Sequence, residues 1–60
     1  MLRFKFADKS NELNFHHSNF SYAINHLNGT EIHLKTGEVF VIEESCRIVR
    51  DRMQEASSNF

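Results

Sequence analysis

The stretch from residue 30 to residue 53 constrains the fold most, because it has the pattern of a strand, a tight turn, a strand and a capped helix. Ile32 and Leu34 alternate with polar neighbours, which is the period-two pattern of a half-buried strand. Thr36-Gly37 follows as a turn, since glycine tolerates the positive φ that hairpin turns require. The next segment, 39–42, is apolar at every position. The sequence therefore predicts a hairpin whose second strand carries apolar side chains on both faces.

The length of this turn decides which side chains share a face. A two-residue turn at Thr36-Gly37 pairs Leu34 with Val39. The face toward the core is then expected to carry four residues, Ile32, Leu34, Val39 and Val41. Phe40 and Ile42 would lie on the opposite face, which a single helix cannot also cover. We predict a partner-binding surface at Phe40 and Ile42 with Tyr22 as an aromatic neighbour; burial of the pair against the N-terminal hairpin is the competing interpretation.

The C-terminal segment is predicted to be an amphipathic helix. The Ser45 hydroxyl can accept a hydrogen bond from a free backbone N–H of the first turn. Apolar residues then recur at spacings of three and four and form one stripe, Cys46, Val49, Met53 and Ala56. Residues 57–60 lack this periodicity, so we expect them to fray.

The first half of the chain predicts a hairpin and one ambiguous segment. Leu2, Phe4 and Phe6 alternate with polar or small residues, and a polar turn leads to a second strand candidate at 12–15. Residues 20–27 fit either a strand or a helix face. We favour a strand, because aromatic and β-branched residues suit a sheet and Asn28-Gly29 is a strong hairpin turn signal.

These elements predict a single α+β domain over residues 1–60, with a small antiparallel sheet of about four strands and one C-terminal helix. The alternative order is ββαββα, with a helix at 19–27. A 60-residue chain buries only about 60% of its unfolded surface. One cysteine cannot form an internal disulfide, so we expect stabilisation by self-association, most simply as a homodimer.

Composition excludes several classes of protein. A net charge of −1 with 40% hydrophobic residues argues against a disordered tail and against a strongly cationic nucleic-acid binder. No run of 18 apolar residues is present, and Met1-Leu2-Arg3 opens into a strand pattern rather than a signal peptide. We therefore expect a cytoplasmic protein without a membrane span.

Histidine and cysteine chemistry gives no predicted site. The four histidines and Cys46 lack the short paired spacings of structural zinc sites, and His16 and His17 would point to opposite faces of a strand. Cys46 lies on the apolar stripe of the helix, where it is expected to pack as a small hydrophobe. No residue pattern indicates a catalytic, metal or cofactor site, so we predict a protein that is not an enzyme.

Nucleic-acid binding is the alternative function. Arg47 and Arg50 are the candidate phosphate contacts, together with Arg52 on the same helix and aromatic side chains on the sheet. Interleaved acidic residues and the near-zero net charge weigh against this function. The commoner interpretation of these arginines is a solvated helix face.

The second half of the chain has a distinctive residue order: Ile24-Asn25, Thr30, Ile32, Leu34, Gly37, Phe40, Val41, Glu44 and Ser45, followed by an amphipathic helix. This order resembles small bacterial flagellar proteins of the FlbD or SwrD type. It spans residues 24–53, and small phage-encoded proteins resemble the same pattern. The chain departs from the family after Met53, where a lysine-rich tail is absent. The resemblance implies an accessory or regulatory protein that contacts other proteins, and it carries over no catalytic residue.

Overall fold

The computed structural model describes residues 1–57. Its elements are β1 (Leu2–Lys5), β2 (Glu12–Phe15), a 3-10 turn (His17–Asn19), β3 (Phe20–His26), β4 (Gly29–Leu34), β5 (Val39–Ile42) and α1 (Cys46–Ser57). The prediction of an α+β fold with antiparallel strands and one C-terminal helix is confirmed. The strands number five and form two sheets, β1-β2 and β3-β4-β5. Of the segment expected to fray, Ser57 ends α1, and residues 58–60 lie outside the described residues.

The N-terminal hairpin supplies half of the buried core. Its register pairs Leu2 with Phe15 and Phe4 with Leu13, so that the apolar member of each alternation points to the same side. All four side chains are buried, and the Phe4 and Phe15 rings stack at 5.9 Å. The alternating pattern of the sequence is sufficient to produce this arrangement.

The ambiguous segment forms strand β3, so the alternative helix at 19–27 is wrong. β3 pairs with β4 from Phe20 to His26 with a register shift between Phe20 and Tyr22, and His26 lies opposite Gly29 across a two-residue loop. Gly29 has a φ of +145°, and a Cβ atom there would collide with the backbone carbonyl oxygen of Ile42. Only glycine therefore allows β4 to approach β5 at this point.

The predicted register between β4 and β5 is wrong by one residue. Leu34 pairs with Glu38, because the Leu34 N–H donates to the Glu38 carbonyl at 2.9 Å. The Gly37 N–H donates to the Leu34 carbonyl at 3.0 Å and closes the turn. The loop therefore has three residues and ends at Gly37, whose φ is +95°. This is the geometry of a turn followed by a glycine bulge. A two-residue hairpin turn of type I′ would have needed positive φ at Thr36, which a β-branched side chain resists.

A one-residue shift moves every β5 side chain to the other face of the sheet. Phe40 pairs with Ile32 and packs against the core, and Ile42 is fully buried. Val39 is instead 49% exposed. The expectation that Phe40 and Ile42 lie on an uncovered face is therefore wrong. As in the competing interpretation, both contact the N-terminal segment at Phe6, with Ile42 buried and Phe40 partly buried.

The core lies between the two sheets and α1. Its buried hydrophobic residues are Leu2, Phe4, Leu13, Phe15, Ile32, Leu34, Ile42 and Val49. Met53 and Ala56 of the predicted helix stripe are partly buried against this core, and Ser45 caps α1 by accepting from the Ile48 N–H at 3.4 Å. The chain after β1 also covers the outer edge of β5, since the Ala7 N–H donates to the Val41 carbonyl at 3.1 Å. β3 is left as the uncovered edge of its sheet.

Candidate protein-interaction surfaces

The three-stranded sheet has one face that neither α1 nor the β1-β2 hairpin covers. Because alternate residues point to opposite faces, the residues between the core positions line it. We call it the open sheet face, and it consists of Tyr22, Ile24, Glu31, His33, Val39 and Val41. Tyr22, Ile24 and Val39 are 51%, 47% and 49% exposed. Large apolar side chains are therefore grouped on one side of a very small protein.

A polar cluster occupies the middle of the open sheet face. The Nε2 atom of His33 lies 2.6 Å from the Glu31 carboxylate, and both side chains are only about a quarter exposed, at 20% and 26%. The rings of Tyr22 and His33 stack at 4.2 Å with 12° between their planes. The carboxylate fixes one edge of the imidazole and the phenol ring fixes its plane. The face is thus a preorganised surface rather than a set of mobile side chains.

The His33–Glu31 pair lies on β4, the middle strand of the sheet. Its neighbours on the open sheet face include the ring of Tyr22 on β3, which stacks on the imidazole.

Strand β3 also presents free backbone groups along its outer edge. The Leu34 N–H points to β5, and peptide groups alternate in direction along a strand, so His33 and Glu31 point toward β3. Their partners Tyr22 and Ile24 use their N–H and C=O groups in that ladder. Ala23 and Asn25 must then direct theirs away from the sheet. β3 contains no Asp, Glu, Lys, Arg or Pro, which are the usual edge-protecting residues. Its ladder with β4 shifts register between Phe20 and Tyr22, so the regular part of this edge is residues 22–26.

A groove of about 530 Å³ runs between this edge and the helix. We call it the β3–α1 groove, and it is lined by His17, Phe20, Ser21, Tyr22, Ala23, Cys46, Val49, Arg50, Met53, Gln54 and Ser57. Phe20, Ala23 and Met53 are partly buried there against the core. Arg50 is exposed and belongs to the lining of the groove, which includes no Asp or Glu among residues 1–57.

One of the three helix arginines contacts the rest of the fold. Arg52 donates to the Arg3 carbonyl at 2.9 Å, lies 3.4 Å from the Glu44 carboxylate and covers the Phe4 ring. Arg47 and Arg50 are exposed. The candidate phosphate contacts on the helix are therefore two side chains rather than three, and Arg50 lines the β3–α1 groove.

The Glu44-Ser45 dipeptide is a structural junction that the sequence pattern did not reveal. The Lys5 N–H donates to the Glu44 carboxylate at 3.1 Å, and the hydroxyl of buried Thr30 donates to the Glu44 carbonyl at 2.7 Å. These bonds connect the start of α1 to β1 and β4, while Ser45 caps the helix. The residues that carry the family resemblance at this point are explained by folding alone.

Glu44→Ala should lower the free energy of unfolding by about 1–3 kcal/mol, because it removes the acceptor of the Lys5 N–H and the partner of Arg52. Its neighbour Glu43 is exposed, so Glu43→Ala is a matched control that should change stability by less than about 0.5 kcal/mol. Urea denaturation followed by circular dichroism measures both. Equal losses in the two variants would show that the junction does not stabilise the fold.

The histidine pair differs from its prediction. His16 and His17 do not share a strand; His16 precedes the 3-10 turn and accepts from the Ser18 N–H at 3.2 Å. The two rings lie 4.5 Å apart instead of on opposite faces.

Within residues 1–57, no three His, Cys, Asp or Glu side chains form a group that could hold a metal ion. Cys46 is partly buried, with its sulfur 3.6 Å from the Thr30 hydroxyl, as expected for a packed side chain.

In comparisons with known proteins, no family model, curated protein or solved structure matches this chain. Within the described residues, no helix has the length and apolar character needed to cross a membrane. The class defined by the fold is therefore a small α+β domain with an open sheet face and a free sheet edge.

Proposed function

We propose that this chain is a non-enzymatic, cytoplasmic protein-interaction or regulatory module that forms a homodimer and contacts a bacterial or phage-related protein target. The observation that carries the proposal is the open sheet face, where three apolar side chains about half exposed surround the ordered His33–Glu31 pair. The earlier hypothesis of an uncovered apolar face is kept, but Val39 and Val41 replace Phe40 and Ile42 in it. Tyr22 remains.

The small core supports self-association. Eight hydrophobic side chains are buried among residues 1–57. A domain of this size is marginally stable alone, and burial of further apolar surface between two copies would add to its stability. The resemblance to flagellar accessory proteins, which rests on the residue pattern alone, supports a regulatory role for the assembly.

The homodimer predicts concentration-dependent stability. Association stabilises the folded chain by mass action, so each tenfold rise in protein concentration should add up to about 1.4 kcal/mol to the stability of the dimer, while the dissociated monomer stays folded. Ile24→Asp and Val39→Asp place a carboxylate on the open sheet face and should give monomers in sedimentation equilibrium, with thermal midpoints that no longer depend on concentration.

The matched control is Leu27→Asp. Leu27 is 97% exposed but lies in the loop between β3 and β4, away from the open sheet face, so this variant should dimerise like the unmodified chain. A wild-type chain that stays monomeric up to the highest micromolar concentrations would contradict the homodimer. Equal dimerisation by all three variants would exclude the open sheet face as the contact.

A further inference from the structure

We propose that the β3–α1 groove binds an extended peptide segment of a partner protein by strand addition to β3, and that this segment carries a carboxylate that pairs with Arg50. This surface lies at the free edge of the sheet, next to α1, and the proposal does not depend on dimerisation through the open sheet face.

The backbone of β3 supplies the first argument. Ala23 and Asn25 direct their N–H and C=O groups away from β4, and the strand is seven residues long without a charged residue. An added strand would run about 4.8 Å from β3. The groove adjoins residues 20–23 at the start of β3, which form one wall, and α1 forms the other. The opposite edge of the sheet cannot accept a strand in the same way, because the Ala7 N–H already donates to the Val41 carbonyl there.

The walls of the groove supply the second argument. Side chains of an added strand alternate between two directions, so every second one would enter the groove. There it would meet an apolar surface formed by Phe20, Ala23 and Met53. A volume of about 530 Å³ accommodates several aliphatic side chains. The occupant should therefore be a strand with apolar residues at alternate positions.

Charge decides between a partner peptide and a second copy. Arg50 is exposed at the groove, and no Asp or Glu of the described part of the chain lines it, so a carboxylate on the occupant would find a complementary guanidinium. The β3 strand of a second copy contains no carboxylate and could not supply it. A nucleic acid would gain little from one guanidinium, since its affinity grows with the number of phosphates neutralised. An acidic, otherwise apolar peptide fits all three features of the groove.

Selection of peptides tests the charge. A library of random heptapeptides displayed on phage is selected against the purified full chain, and the enriched peptides are synthesised and titrated by fluorescence anisotropy. We expect alternating apolar residues with Asp or Glu at one fixed position. Arg50→Glu should weaken binding of these peptides at least tenfold, and a repeat selection on that variant should enrich Lys or Arg at the same position. Arg47→Glu, an identical charge change on the exposed surface of the same helix outside the groove, should leave the affinity unchanged.

Removal of one backbone donor tests the strand addition. A chain made by chemical synthesis with an N-methyl group on the Ala23 nitrogen lacks one outward N–H but keeps all its hydrogen bonds to β4. We expect this chain to bind the same peptides at least tenfold more weakly. Its circular dichroism spectrum should not change. Failure of the selection to enrich any peptide would overturn the proposal, as would equal effects of the Arg50 and Arg47 variants. Self-association abolished by the N-methyl group would assign the edge to a second copy instead. Micromolar, salt-sensitive binding of a DNA or RNA oligonucleotide that requires Arg50 would assign the groove to nucleic acid.

Discussion

Ile42→Asp should unfold the protein, whereas Val39→Asp should leave it folded. Ile42 is fully buried beside Thr30 of β4, so the variant places an unpaired carboxylate in the core and loses the packing of the isoleucine. The combined cost is about 4–5 kcal/mol or more, which is comparable to the whole stability of a small domain. Val39 is 49% exposed on the open sheet face, so its variant should retain the native far-ultraviolet circular dichroism spectrum.

These two residues distinguish the observed register from the alternative shifted by one residue. With a two-residue turn, Val39 would face the core and Ile42 the outside, and the outcomes would be exchanged. The spectra are recorded in dilute solution, where any dimer has dissociated. They therefore report the effect of each substitution on folding and not on association. Unfolding of the Val39 variant together with a native spectrum of the Ile42 variant would contradict the structure.

Gly29→Ala should also abolish or severely weaken folding. Its Cβ would collide with the Ile42 carbonyl oxygen, and backbone atoms cannot move aside as a side chain can. The positive φ of +145° adds strain for any residue with a side chain. We expect a loss of several kcal/mol in the free energy of unfolding, measured by urea denaturation.

The matched control is Gly37→Ala in the loop between β4 and β5. Gly37 also has a positive φ, +95°, but a Cβ there would meet no atom within 4 Å. Its variant should lose only about 1–2 kcal/mol from backbone strain. Equal losses of stability in the two variants would show that the expected collision with the Ile42 carbonyl adds nothing to the cost of the positive φ.

Local patterns in the sequence predicted the elements of this fold correctly. The alternation of Leu2 and Phe4 gave the first hairpin, and the spacing of Val49 and Met53 gave the buried stripe of α1. The strand at 20–27 followed from residue propensity and the turn signal after it. Each of these features is set by residues a few positions apart, so that short-range periodicity is sufficient.

Two features were not predicted: the register of β5 and the contacts of Glu44. The register of β5 depends on whether the loop at Thr36-Gly37 has two or three residues. Because two were assumed, Phe40 and Ile42 were predicted to point outward, whereas Val39 and Val41 do so. The steric resistance of Thr36 to positive φ was the available signal for the longer turn. The bonds of Glu44 to β1 and β4 join residues far apart in sequence, and no local pattern indicates them.

The proposed contact surface of this protein is the open sheet face. A dilution series of amide chemical shifts in the nitrogen-15-labelled chain tests this contact residue by residue, because each amide reports its own environment as the dimer dissociates. We expect the resonances of Tyr22, Ile24, Val39 and Val41 to move together with concentration, while that of Arg47 on the exposed surface of α1 stays constant. Shifts that cluster on α1 instead, or spectra that do not change with concentration, would contradict it.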